Sequence, residues 1–179
     1  LADQMIATGA ADVVVAGGME SMTNAPYLLP DARAGMRLGD KTVVDSLMYD
    51  GLFCAFDQCA MGAGTEKYAA SMGLPRDAQD DLAAKSHERA ARAHKDGLFD
   101  NEVIPVEIPQ RKGDPIIFAE DEGVRAGTTL ESLGALRPAF DKAGNITAGN
   151  ASQISDGGAA VIVCSKEAAE RLGAAPIAE

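Results

Sequence analysis

The chain has 179 residues, 46% of them hydrophobic and 24% charged, which suits one globular domain with a real core. No apolar run approaches the ~20 residues needed to cross a bilayer, so a spanning helix is excluded. A net charge of −11, with a pI near 4.6, repels nucleic-acid phosphates and anionic lipid, and the densest basic spot, "RKGD" at Arg111 to Asp114, reads as a turn.

In chain order, "LADQMIATGA" places Leu1, Met5 and Ile6 at helical spacing with a glycine close behind, as at a helix end. "ADVVVAGG" then reads as a short apolar strand of the kind buried on both faces of a helix-flanked sheet. The expected exit from that strand at Gly17 and Gly18 would set Met19 and Glu20 at the rim of a ligand crevice. The chain starts at Leu1 rather than Met and ends in the apolar stub "RLGAAPIAE", so a further segment is expected at each end.

From Ala25 to about Thr147 the sequence changes character, with short mixed elements, prolines and many charges. The expected organisation is therefore α/β sequence over 1–24, a mixed inserted domain over 25–147, and a return to α/β over 148–179. Within the insertion, "YLLPDARAGMRLGDKT" reads as an exposed hairpin arm of the sort that touches another subunit. Met61 to Met72 aligns Thr65, Tyr68, Ala69 and Met72 on one helical face.

"PRDAQDDLAAKSHERAARAHKDG" predicts the best helix. Pro75 stands at its start, acids in the first turns, Arg92 and Lys95 late, and Gly97 as the stop. Asp81 with Lys85 and Glu88 with Arg92 should pair on its exposed side. Ala78, Leu82, Ser86, Ala90 and Ala93 are the expected inner face. "EVIPVEIP" and "PIIF" predict two strands joined by a turn at Lys112-Gly113. Thr128 and Glu131 predict a capping box for a helix through Leu136. "AAVIVCS" is another buried strand, after which Ser165 caps a final helix.

Four features invite chemistry. Gly17-Gly18 is not G-x-G-x-x-G and no Walker lysine follows, so a nucleotide phosphate loop gains little support. His87 and His94 share a helix face, yet no third ligand completes a metal site by spacing, and a solvated face is the expectation. Cys59 precedes a helix start, where a thiolate would be favoured, but neither histidine is spaced to activate it; Cys54 and Cys164 read as packing residues. Three cysteines are too few for a disulfide scaffold and fit a reducing, cytoplasmic setting. The segment "TAGNASQISDGGAA" lets backbone approach a ligand closely, with Asn150, Ser152 and Ser155 as short polar groups. Two such small-residue crossings at the borders of one insertion suggest a cleft that both line.

The stretches "VVVAGGMESMTNAPY", "GLFCAFDQCAMGAGTEKYA", "LRPAFDKAGNITAGNASQISDGGAA" and the long charged helix between them resemble, in order, the thiolase family, its acetyl-CoA acetyltransferases in particular. The resemblance covers nearly all of the chain. It implies a partial thiolase fold of the α/β class: an incomplete N-terminal α/β half plus an inserted mixed α/β loop domain that binds coenzyme A. It implies a Claisen condensation or thiolysis through an acyl-cysteine, with coenzyme A thioesters as substrates and no metal or other cofactor.

The resemblance places the acylated cysteine upstream of Leu1 and the remaining catalytic motifs in a C-terminal half, so no catalytic residue is assigned here. Leu52 and Met61 match positions of the acyl and pantetheine tunnel. Arg125 matches a residue near the adenine. Ser132, Leu133, Ala139 and Phe140 match the groove along pantetheine and adenosine, and Ala148 and Ser152 match the segment beside pantetheine. Ala60 stands where many biosynthetic members have histidine, and Gln153 where glycine is common, so a different or longer acyl group is open. The arm from Leu29 to about Leu47 matches a tetramerisation loop, implying a homotetramer without nucleic-acid or membrane partners. The rivals are a degradative 3-ketoacyl-CoA thiolase, a non-catalytic acyl-CoA-binding module, and a cysteine hydrolase using Cys59.

Overall fold

A computed structural model describes residues 1–178. Among them, no helix is long and apolar enough to cross a membrane. The chain divides into two compact units, one formed by Leu1–Leu47 with the chain from Ile154 onward, the other by Met48–Gln153. These boundaries fall away from the change in sequence character at Ala25 and Thr147. The hairpin arm therefore groups with the first unit, and the glycine-rich turn through Gln153 with the second.

The first unit opens with helix α1 (Ala2–Ala7), which Gly9 closes in the left-handed conformation at φ +71°. Strand β1 (Val13–Glu20) and strand β8 (Gly157–Cys164) pair antiparallel, from Val13 opposite Cys164 to Glu20 opposite Gly157. Helix α5 (Lys166–Leu172) follows. The Ser165 hydroxyl accepts from the Ala168 amide at 3.1 Å, and Gly173 ends the helix at φ +64°. The serine cap was expected from the sequence, and the glycine supplies a left-handed stop that was not singled out there.

Two expectations about β1 are corrected. The strand does not stop at the glycines: Gly17 and Gly18 are ladder residues opposite Ala160 and Ala159. The reason lies in the approach of the two strands, because a Cβ on Gly17 would stand 2.6 Å from the Ala159 carbonyl oxygen. Nor are β1 and β8 sandwiched. They form a two-stranded ribbon, and the cross-strand pair Val15 and Ile162 is 71% and 72% exposed.

The arm is a hairpin, as its turn residues predicted. Strand β2 (Tyr27–Leu28) pairs with β3 (Val44–Asp45), and between them lie a 3-10 turn at Pro30–Ala32 and an exposed loop. The Ser46 hydroxyl donates to the Pro26 carbonyl at 2.6 Å and closes the base.

The second unit begins within a π-helical turn at Leu47–Gly51. A tight hairpin, β4 (Phe53–Cys54) with β5 (Cys59–Ala60), leads into helix α2 (Met61–Ser71). Helix α3 (Arg76–Lys95) starts after Pro75 and is closed by Gly97 at φ +71°. Asp81 pairs with Lys85, and Glu88 with Arg92 at 3.3 Å, as spacing predicted. Strands β6 (Val106–Ile108) and β7 (Ile116–Phe118) form the expected hairpin, with Gly113 at φ +89° in the turn.

Helix α4 (Leu130–Gly134) is capped one residue later than predicted. Thr129 rather than Thr128 accepts from the Ser132 amide, and the Ser132 hydroxyl accepts from the Thr129 amide, at 3.1 and 3.0 Å. The Thr128 hydroxyl instead donates to the Arg125 carbonyl at 2.8 Å.

The inner face of α3 is also corrected. Leu82 is 66% exposed, and Ala78 and Ser86 are exposed too. The packed stripe is Asp80, Ala83, His87, Ala90 and His94, spaced three, four, three and four apart. Both histidines therefore lie on the packed face rather than the solvated one. His87 Nδ1 accepts from the Arg125 amide at 3.2 Å, and the His94 ring tilts against Phe99 with centroids 5.1 Å apart.

Replacing Gly17 by Ala is expected to destabilise the β1/β8 ribbon by about 1 to 3 kcal/mol, since a backbone oxygen cannot rotate aside. Gly18→Ala, which meets nothing within 4 Å, should change stability by less than ~0.5 kcal/mol. Urea unfolding of the two variants checks the contrast.

The Asp156 carboxylate accepts from the Thr23 amide at 2.8 Å and from the Ser21 hydroxyl at 3.3 Å. The Thr23 amide, against opposing desolvation, holds its pKa below the ordinary carboxylate value. A depressed folded pKa adds stability above the unfolded value and loses it as pH falls through the folded one. The Thr23 amide resonance should thus shift with a midpoint below that of an unperturbed aspartate. Asp156→Asn should abolish that transition.

Candidate functional site

A groove of about 800 Å³ opens on the Met48–Gln153 unit. One wall is the α3 side that carries Gln79, Leu82, Ser86 and His87. A second is the loop from Asp121 to Thr128 with the first turns of α4. The floor is the turn from Ala148 to Gln153. Leu82 and Ser86, expected in the core, thus line the groove instead.

Two carboxylates, one buried and one half-buried, position this floor. Asp80, 3% exposed, receives the Arg76 Nε at 2.7 Å on one oxygen and the Asn150 amide nitrogen at 2.8 Å on the other. Arg76 also donates to the Leu133 carbonyl at 2.6 Å and the Leu136 carbonyl at 3.2 Å, filling acceptors that the end of α4 leaves open. On the other side, the Glu66 carboxylate of α2 accepts the amides of Asn145 and Ile146 at 3.0 and 2.7 Å.

The turn itself is closed by Asn150 Oδ1, which accepts from the Thr147 amide at 2.7 Å, and by the fully buried Thr147 hydroxyl, which accepts from Gly149 at 3.1 Å. Gly149 is required because Leu133 and Leu136 methyls occupy the space of a Cβ there. Among the described residues, no buried side-chain nitrogen or oxygen lacks a partner.

Of the nine residues singled out in the sequence, the groove collects five: Arg125, Ser132, Leu133, Ala148 and Ser152. Leu133 is 3% exposed and serves as core beneath the groove. The Ser132 hydroxyl is engaged in the α4 cap. Ser152 is exposed, and its hydroxyl has no protein partner among the described residues. Arg125 is the one guanidinium or ammonium side chain on the groove wall among the described residues.

The other four gather elsewhere in the same unit. Met61 donates its amide to the Leu52 carbonyl at 2.9 Å across the base of the β4/β5 hairpin. The Phe140 ring lies where a Cβ on Gly62 would be, beside Met61. Ala139 donates its amide to the Ile146 carbonyl at 2.8 Å, and Pro138 bridges Thr147, so this second cluster is hung on the strand that leads into the groove floor.

Sequence reasoning missed Arg76, Asp80 and Glu66 as positioning residues. Asp80 was read only as an acid of an early helical turn, although its i,i+4 spacing to Arg76 was a usable signal. The side chain of Gln153 lies over Gly123 on the groove wall. Cys59 is half-buried in β5, with its sulfur against Gly64, and Cys164 ends β8 half-buried. Among the described residues no three His, Cys, Asp or Glu side chains gather in a metal-binding arrangement.

The family model for the thiolase N-terminal domain matches residues 1–167. The chain belongs to the thiolase family. It is 60% identical over all 179 residues to a probable acetyl-CoA acetyltransferase of Mycolicibacterium smegmatis, covering 46% of that protein. It is 50% identical over 178 residues to the acetyl-CoA acetyltransferase of Cupriavidus necator, covering 45% of it. The structure of the acetyl-CoA acetyltransferase from Syntrophomonas wolfei superposes with a TM-score of 0.90 at 42% identity, over 97% of this chain and 43% of that one. The fold is accordingly a partial thiolase fold, and the chain spans under half the length of these relatives.

The buried network makes a sharp stability prediction for this thiolase segment. Asp80→Ala strands Arg76 and frees Asn150, and should cost about 3 to 5 kcal/mol, the usual loss when one partner of a buried pair is removed. Arg92→Ala, which opens an exposed pair, should cost less than ~1 kcal/mol. Denaturant titration followed by circular dichroism compares the two.

Proposed function

We propose that this chain carries the acyl-CoA-binding portion of an acetyl-CoA C-acetyltransferase that condenses acetyl-CoA, or cleaves acetoacetyl-CoA, through an acyl-cysteine. The observation that carries the reading is the convergence of Arg125, Ser132, Leu133, Ala148 and Ser152 on one groove in a chain of the thiolase family. A volume of about 800 Å³ suits a ligand of cofactor size, for which pockets of ~300 to 1,000 Å³ are usual.

In this reading the groove takes the long handle of the thioester and the second cluster takes its reactive end. Arg125 supplies positive charge at the nucleotide end. Ala148, Gly149 and Ser152 offer backbone and a free hydroxyl to the amide-bearing arm. Leu52, Met61, Ala139 and Phe140 provide the apolar surface that keeps water from the thioester, which raises the worth of every electrostatic contact made there. Acyl transfer to a cysteine divides one difficult carbon–carbon step into two, and oxyanion holes stabilise the negative charge that develops in each.

None of Cys54, Cys59 and Cys164 is assigned the nucleophile's role. The groups that perform the covalent chemistry are proposed to lie beyond these 179 positions, in keeping with the 46% of the relative's length that the chain spans. The same reading assigns the exposed arm between β2 and β3 to contacts between dimers in a homotetramer and the enzyme to the cytoplasm. It requires no metal or redox group and no nucleic-acid or membrane partner.

Phe140→Ala, introduced into the full-length protein that carries this sequence, should weaken coenzyme A binding by about 1 to 3 kcal/mol, roughly 5- to 150-fold. Titration calorimetry with coenzyme A measures the change. Unaltered affinity, or a wild-type protein that neither binds coenzyme A nor cleaves acetoacetyl-CoA, defeats the reading.

A further inference from the structure

The β4/β5 hairpin sets Cys54 directly opposite Cys59. The bond from the Met61 amide to the Leu52 carbonyl fixes which positions of this ladder exchange hydrogen bonds. Counting inward, Phe53 and Ala60 form a non-hydrogen-bonded pair, and Cys54 and Cys59 a hydrogen-bonded one. Residues directly opposite on antiparallel strands project to the same face, with Cα atoms ~5.5 Å apart in hydrogen-bonded pairs. That separation falls inside the ~4.4 to 6.8 Å window of a disulfide.

Both cysteines are free thiols and half-buried. The Asp57 amide donates to the Cys54 sulfur at 3.4 Å, holding it at the mouth of the four-residue turn. The Cys59 sulfur lies beside Gly64 of α2, 3.8 Å from where a Cβ there would stand. The backbone register thus permits bond formation without refolding of the hairpin.

We propose that Cys54 and Cys59 form a redox-modifiable dithiol, closed to a cross-strand disulfide by a hydroperoxide and reopened by a thiol reductant. The proposal stands apart from the acyl-CoA reading. In the first step the hydroperoxide transfers one oxygen to a thiol, giving a sulfenic acid and releasing an alcohol, or water when hydrogen peroxide is the oxidant. In the second the opposing thiol attacks that sulfur, the S–O bond breaks, and the oxygen leaves as water with the thiol proton. The sulfurs together lose two electrons, and the hydroperoxide gains them. Two molecules of a small thiol reverse the change and leave as their own disulfide.

Trypsin leaves both cysteines in one peptide, residues 42–67, because no lysine or arginine lies between Lys41 and Lys67. The full-length protein is treated with hydrogen peroxide, alkylated with iodoacetamide, digested and weighed by mass spectrometry. The peptide should be two hydrogens lighter and unalkylated, and should carry two alkyl groups once dithiothreitol precedes the alkylation. Closure in the folded protein should be at least ~10-fold faster than in the isolated 42–67 peptide, because the strands hold the sulfurs opposed. Cys164→Ser should leave the light peptide in place, and Cys59→Ser should remove it. Two alkyl groups after peroxide, sulfinic acid on one cysteine with the other alkylated, a link to Cys164, or equal rates in protein and peptide would each overturn the proposal. The wild-type measurements stand whether or not either variant folds.

Discussion

One buried carboxylate organises the groove. Asp80 has both oxygens committed, one to Arg76 from its own helix and one to Asn150 from the floor, while Arg76 reaches on to two carbonyls at the end of α4. Three segments far apart in sequence are therefore held by one charge and its counter-charge. A carboxylate left unpaired at this depth would be too costly to bury, so the partners are obligatory. Glu66 repeats the device from α2 with two backbone amides. The groove floor is pinned from two helices by directional bonds, whereas the buried apolar residues near it are few: Ala69, Leu133 and Ile146. Directional bonds fix distances where a thin apolar core would allow slippage, and a binding surface needs fixed distances.

The glycines serve the same end by letting neighbours approach. Gly149 yields its side-chain space to Leu133 and Leu136, and Gly62 yields to the Phe140 ring. Gly17 does so for the partner strand. What a glycine-rich stretch announces is close approach, and the partner in that approach here is another part of the chain.

Local signals in the sequence were reliable wherever the energetics are local. Ser165 caps α5, Gly97 stops α3, and the Lys112-Gly113 turn joins β6 to β7, because capping and positive φ are settled within a few residues. The thiolase fold was legible from its motifs. The facing of α3 was not. Small alanines on several sides gave no dominant apolar stripe, and a charged residue, Asp80, occupies the innermost position. Apolar patterning cannot rank a buried aspartate as core unless its partners are known, and Asn150 lies 70 residues away. The α4 cap slipped by one residue because Thr128 and Thr129 offer identical hydroxyls, and tertiary context chose between them. The pairing of β1 with β8 likewise joins strands separated by the whole second unit, and nothing local encodes its direction.

On the acyl-CoA reading, an acidic segment takes a polyanionic ligand, which poses a problem of charge. At −11 overall, the long-range field opposes such a ligand, and Arg125 is the single fixed cation on the groove wall among the described residues. One partly solvated guanidinium offers modest attraction, and salt screens it beyond ~8 Å at physiological ionic strength. Affinity on the acyl-CoA reading must then come chiefly from surface removed from water and from backbone groups aimed into the groove. The architecture agrees with that division. Arg76, Asp80 and Glu66 are spent on holding the walls in shape, and beside Arg125 and Asp121 the groove lining is mostly small or uncharged residues, among them Ala83, Gly123, Gly127, Ala148, Gly149 and Ala151.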